Sequence, residues 1–346
     1  MILLQFQDER LEALKRRNIQ EQQNVKTIRA EYSNTVEFET FFYQTVTSKN
    51  LRTMAMEYNR ATKQLKVQVI KTELERQSMG IANYAMSTSA YADFCERVLK
   101  IEKDRKFNAS SSLVFDGVPT RIFAIVSPYK DDPLVVISTS KKPPEAIPGL
   151  TQQDEAKLAQ VIKGNFLIAG KSGAGKTYLT NYLLSKFCPQ NERIGIIQEF
   201  NEIYPPNDFS DTICTPPRVP GQMWNDLEFL TEQSNLMRYD RIFVGEIKSS
   251  EAWPFVVNLA SGTKGGATIH GTCCQGALQR LRTLCMLAKP NLGEAMVTSF
   301  IKDAVDYVVY VQRGKVGEIM KVNTANNGKF QLEPMELGKD DFSHKR

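Results

Sequence analysis

The stretch GKSGAGKT, residues 170–177, decides the fold. It fits G-x-x-x-x-G-K-[ST] at every fixed position. The apolar run NFLIA (165–169) precedes it. TYLTNYLLSKF (177–187) follows, with Leu179, Tyr182, Leu183 and Phe187 at helical spacing on one side. A buried strand, a glycine-rich loop and an amphipathic helix in that order spell a phosphate-binding loop. The competing reading is a glycine turn that happens to match, and the flanking elements argue against it.

The chemistry needs these residue types. Gly170, Gly173 and Gly175 let the backbone approach phosphate oxygens and turn its N–H groups toward them, with Lys171, Ser172 and Ala174 completing the cradle. The positive end of the helix adds to the attraction. Lys176 is placed to bridge the β and γ phosphates, and the Thr177 hydroxyl to ligate Mg²⁺. The loop by itself says that a nucleoside triphosphate such as ATP is bound. No N-K-x-D marks a guanine reader.

Other polar segments narrow the chemistry. RIFVGE (241–246) is an apolar strand ending in Glu246, a carboxylate able to orient water or hold Mg²⁺ through water, or merely a solvated strand end. IIQEFNEI (196–203) carries Glu199 and Glu202 after the next strand, where each reads equally well as a surface acid. GGATIHGT (265–272) sets His270 at a strand end after a glycine-rich loop. A lone histidine is more often structural, yet this position suits a γ-phosphate sensor.

Outward from the loop, residues 151–346 alternate strands and helices, the pattern of an α/β domain with a largely parallel sheet. Thr151 and Asp154 form a short capping box for EAKLAQVIK. YVVYVQ, GEIMKVN and FQLEP read as closing strands, the last two a hairpin around NTANNG. KKPPEAIPGL (141–150), with three prolines and a glycine, reads as a linker. Before it, SLVF, TRIFAIVS and LVVIST, separated by the turns DGVP and YKDDP, form a small antiparallel sheet. Residues 1–105 are rich in Glu, Lys, Arg and Gln, with Leu11, Leu14 and Ile19 at helical spacing, and are expected to be helical. The chain is thus expected to hold a separate N-terminal α+β domain (1–140) and a P-loop domain (151–346).

Composition closes other doors. The 346 residues are 42% hydrophobic and 24% charged, a globular mix able to bury a core without staples. Net charge is +5, from 44 basic and 39 acidic residues, too balanced to indicate nucleic acid. Two histidines rule out a multi-histidine metal site, and six cysteines without C-x-x-C spacing are expected to be free thiols. Ile2, Leu3 and Leu4 are followed at once by polar residues, and no apolar run reaches the ~20 residues a membrane span needs. A cytoplasmic protein is expected.

Read in order, GKSGAGKT (170–177), QEFNEI (198–203), RYDRIFVGEIKSSEAW (238–253) and SGTKGGATIHGTCCQGALQRL (261–281) resemble the secretion ATPases of type II and type IV secretion, conjugation and type IV pili. The family's hallmarks are a P-loop, an Asp box, a Walker B segment ending in G-E, and a His box. The match runs from residue 150 to about 312, and DGVPTRIFAIVSPYKDDPLVVIS (116–138) resembles the end of the family's N-terminal domain. The resemblance implies a RecA-like ATPase domain, a hexameric ring, ATP with Mg²⁺ held between the two domains, and domain motions driven by hydrolysis. By position, Lys176 and Thr177 take the phosphate and Mg²⁺ roles, Glu246 is the Walker B glutamate, Glu199 and Glu202 are Asp-box acids, and His270 is the His-box histidine. Arg121 lies where the N-terminal domain supplies an arginine to the nucleotide, and Arg238 and Arg241 remain in the arginine-bearing segment. Implied partners are inner-membrane components and other ATPases of a secretion apparatus, met peripherally at the membrane's cytoplasmic face, with no direct nucleic acid.

The departures are specific. Gln198-Glu199 replaces Glu-Asp, Leu236 replaces an arginine, Tyr239 a proline and Lys248 an arginine, and Thr263 stands where a histidine is usual. The SSEA after Walker B and the SGxKGG His box favour the type IV secretion and conjugation branch, with pilus and type II motors as the alternative. Two other classes stay open: a nucleotide-binding ring that barely hydrolyses, favoured by the departures, and a DNA translocase, disfavoured by the scattered basic residues.

Overall fold

The computed structural model describes residues 31–32, 35–48, 51–73, 76–101, 109–125, 134–139, 143–215, 226–323 and 329–337. The chain divides into two compact units between Ser140 and Lys141.

The first unit contains β1 (Glu31–Tyr32), α1 (Thr35–Val46), β2 (Leu51–Asn59), β3 (Gln64–Glu73), β4 (Arg76–Ala85), α2 (Thr88–Arg97), β5 (Ala109–Phe115), β6 (Val118–Ile125) and β7 (Leu134–Thr139). Its strands form one sheet in the order β1-β4-β3-β2-β7-β6-β5, antiparallel except for β1 against β4. The expectation of helices through residue 105 therefore fails over 51–85. The physical reason is a period of two: Met54, Met56 and Tyr58 on β2 and Leu65, Val67 and Val69 on β3 are buried on alternate positions. Glu, Lys and Gln, good helix formers, fill many of the places between, and strand pairing overrides their propensity. Phe38 and Phe42 of α1 meet Phe94 of α2 edge-on at 4.8 and 5.0 Å, which knits the two helices over a buried core. The DGVP turn forms as read, with Asp116 and Gly117 both at positive φ (47° and 76°), the geometry of a two-residue hairpin. The helix expected around Leu11, Leu14 and Ile19 lies outside the described residues.

The second unit contains α3 (Gln152–Val161), β8 (Phe166–Gly170), α4 (Lys176–Phe187), β9 (Ile194–Gln198), β10 (Ser210–Cys214), α5 (Asp226–Gln233), β11 (Arg241–Ile247), α6 (Ala252–Ala260), β12 (Lys264–His270), α7 (Cys274–Ala288), α8 (Glu294–Ala304), β13 (Tyr307–Gln312), β14 (Lys315–Asn323) and β15 (Gln331–Pro334). The sheet order is β10-β9-β11-β12-β8-β13-β14-β15, parallel from β10 to β13 and antiparallel beyond. Phe166 and Ile168 of β8 face α3 and α4, while Leu167 and Ala169 face the layer built by α5 to α8. Both faces are covered, which is why the strands read as unbroken apolar runs rather than alternating ones. The Thr151 capping box is present, with Asp154 N–H donating to Thr151 Oγ1 and Thr151 N–H to Asp154 Oδ2. The expected linker is not free-standing: Ile147 is buried in this unit's core and Leu150 packs against it.

Two glycines show how tightly the central strands approach. A Cβ on Gly195 of β9 would lie 2.5 Å from the ring of Tyr239, and one on Gly265 of β12 would lie 2.0 Å from the Ile242 carbonyl oxygen.

Candidate functional site

In a parallel sheet covered on both faces, ligands settle outside the carboxyl ends of the strands. Gly170 ends β8, Glu246 is the penultimate residue of β11, His270 ends β12, and Glu199 and Glu202 lie just beyond β9. One edge of the sheet thus collects every acid, base and lysine that the sequence singles out in this unit.

The loop itself is built on its glycines. Gly173 and Gly175 adopt φ of 68° and 100°, open to glycine at no steric cost. A Cβ on Gly170 would stand 2.7 Å from the Val311 carbonyl oxygen and 3.0 Å from Ala174. α4 starts at Lys176 with Gly175 as its cap and no side-chain cap hydrogen bond. Its first-turn amides therefore look into the loop without a capping acceptor, which is the donor set a phosphate needs.

Lys176 is buried at 7% exposure, and its Nζ donates to Gly170 O and Lys171 O, both at 3.3 Å. The same ammonium lies 3.4 Å from His270 Nδ1 and 3.7 Å from Glu246 Oε1. His270 Nε2 closes the triangle on Glu246 Oε1 at 3.1 Å. Nδ1 thus faces the ammonium and Nε2 the carboxylate. Burial lowers the Lys176 pKa below its ordinary value, against the opposing pull of Glu246 and Glu202. His270 is also held below its usual 6.5, first by burial and then by the Lys176 and Arg280 charges, with Glu246 and a hydrogen bond to the Gly170 backbone opposing.

Thr177 Oγ1 donates to Glu202 Oε2 at 3.4 Å. Glu202 is fixed from behind: its carbonyl accepts from Asn181 Nδ2 at 2.9 Å, and its N–H donates to Gln198 Oε1 at 3.1 Å. Gln198, 2% exposed, also accepts from Ile203 N–H at 3.0 Å and donates to Asn201 Oδ1 at 3.2 Å. An amide carries out both tasks at once, donor and acceptor, where a carboxylate could only accept. Glu199 is ion-paired with Lys248, which follows β11. The backbone N–H groups of Lys248 and Ser249 are held by the fully buried Glu251. Two departures from the family pattern, Gln198 and Lys248, are therefore integrated into the loops they sit in.

The arginines are placed differently from expectation. Arg241 opens β11, five residues before Glu246, or about 16 Å along the strand. It is 3% exposed, held by Glu192 Oε2 at 2.6 Å and by the Ile162 carbonyl at 2.7 Å. Its guanidinium ties β11 to the end of α3, away from the P-loop mouth. Arg238 is exposed with φ 55° at that same far end, away from its own P-loop. Leu236 is 78% exposed, and Tyr239 packs on Gly195 with Arg193 above its ring at 5.0 Å. Arg121 is exposed on β6 of the first unit. Asn181 belongs to no motif; its signal in the sequence is a polar residue on the buried side of α4.

ATP and Mg²⁺ fit these residues. The uncapped helix start and the buried ammonium suit phosphates, and Thr177 beside Glu202 suits a cation held mostly by phosphate and water. Among the described residues no three His, Cys, Asp or Glu side chains converge as a self-sufficient metal cage.

A phosphate-binding loop on a doubly wound sheet, with a carboxylate and a histidine at neighbouring strand ends, defines a RecA-like P-loop protein. Residues 147–313 match the family described as Type II/IV secretion system protein, so the second unit is similar to the secretion ATPases. The chain is 28% identical over 176 residues to the conjugal transfer protein TrbB of Rhizobium radiobacter, covering 49% of this chain and 51% of that protein. It is 31% identical over 166 residues to the type IV secretion system protein PtlH of Bordetella pertussis, covering 46% of this chain and 48% of PtlH. The chain thus spans about half the length of the curated relatives it matches. In fold it is similar to the ATPase DotB of Legionella pneumophila, at a TM-score of 0.56 and 14% identity, over 86% of this chain and 80% of DotB.

Proposed function

We propose that the second unit binds ATP with Mg²⁺ and hydrolyses it, and that this turnover serves a type IV secretion or conjugation apparatus. The observation that carries the reading is the Lys176–His270–Glu246 triangle at the mouth of the P-loop. Lys176 exchanges the carbonyls of Gly170 and Lys171 for phosphate oxygens when nucleotide binds. Glu246, released from the ammonium, orients the attacking water, and His270 between them reports whether a terminal phosphate is present. Thr177 and Glu202 would hold Mg²⁺, which would supply neutralisation of the phosphate charge. A ring of six copies, docked peripherally on inner-membrane components, extends the proposal from the resemblance. No helix among the described residues is long and apolar enough to cross a membrane.

The test is steady-state ATPase activity and nucleotide affinity of the purified full chain. Lys176→Ala is expected to abolish both. Glu246→Gln is expected to keep ATP bound while turnover falls about 10²- to 10⁴-fold, the range for losing a positioned acid–base group. Wild-type protein that binds ATP yet shows no turnover, alone or with apparatus components, would sink the hydrolase reading.

One observation favours slow turnover: Lys248 is engaged by Glu199 and offers an ammonium where the family presents a guanidinium fork. On that second reading Lys248→Arg raises the rate severalfold; an unchanged rate removes its support.

A further inference from the structure

Beside the P-loop hollow lies an open cleft of about 370 Å³. Lys171 and Ser172 line it from the P-loop, His270, Gly271 and Thr272 from the end of β12, and Arg280 from α7. No carboxylate lines it, so its charge comes from Lys171 and Arg280. Arg280 forms no ion pair among the described residues. Two positions on, Arg282 points elsewhere and is paired with Glu294 at 2.7 Å.

The helix sequence arranges this opening. Gly276 and Arg280 are four residues apart and share a face of α7. Long side chains on a helix lean back toward its start, so Arg280 reaches over Gly276 toward Thr272 and the P-loop. Gly276 stands in the first turn of α7, where its N–H donates to the capping Cys273 Sγ at 3.3 Å. Packing does not demand glycine here: a Cβ on Gly276 would meet only Cys273 Sγ and Thr272 Oγ1, both at an ordinary 3.5 Å. What the missing side chain leaves is room between the guanidinium and the P-loop. Two parallel N–H donors of an arginine match two oxygens of a phosphate, and the Ser172 and Thr272 hydroxyls supply further donors.

We propose that Arg280 is a phosphate ligand in this cleft, which continues from the hollow lined by Lys176, and that it holds a tetrahedral phosphate during turnover. The inference rests on the ATPase reading of the unit. The phosphate is either the terminal group of bound ATP or the inorganic phosphate released from it, and the two sources separate by experiment.

The experiment uses the full chain with ADP, a non-hydrolysable ATP analogue and inorganic phosphate as probes. In Arg280→Gln, inhibition of the ATPase by inorganic phosphate is expected to weaken about tenfold, the scale of one charge-assisted hydrogen bond, with ADP affinity unchanged. Arg280→Lys restores part of it, and Gly276→Met, which fills the opening while keeping the arginine, reproduces the loss. A parallel tenfold drop in analogue affinity identifies the bound terminal phosphate; unchanged analogue affinity identifies the released one. Phosphate and analogue affinities that stay within twofold of wild type in both Arg280→Gln and Gly276→Met overturn the proposal, even if the pH profile moves, because Arg280 then acts only through the charge on His270. ADP affinity lost in Lys176→Ala but kept in Arg280→Gln separates this site from the nucleotide reading itself.

Discussion

At the residue scale, His270 links charge to chemistry. Its pKa is held below 6.5, so at neutral pH the ring is uncharged beside the Lys176 ammonium. As pH falls through the folded-state value, protonation sets a third cation against Lys176 and Arg280. The sign follows: the folded pKa lies below the unfolded one, so the stabilisation is fully present above pH 6.5 and is lost as pH falls through the folded value. The ATPase rate is expected to show an acid limb with its midpoint below 6.5. Arg280→Gln removes one of the charges that depress the ring and moves that midpoint upward in a pH–rate profile. Arg241 gives the opposite kind of prediction. Arg241→Ala leaves Glu192 and the Ile162 carbonyl without their partner and is expected to cost about 2–4 kcal/mol in chemical denaturation. ATP affinity at saturating protein stability stays unchanged, which a nucleotide ligand would not allow.

At the element scale, strand ends do the positioning and glycines set the strand spacing. Gly265→Ala is expected to lower stability by at least about 1–3 kcal/mol, because its Cβ would meet the backbone oxygen of Ile242, which cannot rotate away. Thermal unfolding checks this, and a wild-type midpoint refutes the spacing argument. The turn after β9 depends on Gln198 as both donor and acceptor. Gln198→Glu restores the family residue yet turns a carboxylate toward the Asn201 and Ile203 oxygens. It is expected to loosen Glu202 and lower turnover at near-constant ADP affinity. The elements of the second unit were legible because each strand is a short run of apolar residues bounded by loop signals. Those of residues 51–85 were not, because β2 to β4 expose one face and fill it with residues that also favour helices. An alternating pattern carried by Met, Ala and Tyr is easily lost among Glu, Gln and Lys.

At the scale of the whole molecule, the second unit owns two apolar cores, one on each face of its sheet, assembled wholly from residues after 141. Residues 141–346 expressed alone are therefore expected to unfold as one cooperative transition in calorimetry and to bind ATP. A broad transition without nucleotide protection would show that the first unit is needed for folding. Sedimentation of the full chain with a non-hydrolysable analogue tests the proposed six-copy ring, where a monomer at micromolar concentration would count against it.

The phosphate-binding loop is legible in the sequence alone. G-x-x-x-x-G-K-T is a local device, in which glycine conformations, a helix start and a lysine cooperate within eight residues, so no distant contact is needed to read it. It also marked Glu246, Glu202 and His270 by their strand-end positions. Which of the marked residues meet depends on the sheet order. Lys176, Glu246 and His270 converge because β8, β12 and β11 are neighbours in the sheet, an order the chain does not follow in sequence. Arg241 sits on the same strand as Glu246 but at its other end, where the half-buried Glu192 claims it. Arg280, inconspicuous in ALQRL, faces the P-loop because α7 returns from the end of β12 and because Gly276 leaves the space open. Local geometry is written in neighbouring residues; convergence is set by which strands pair and by what each helix face leaves uncovered.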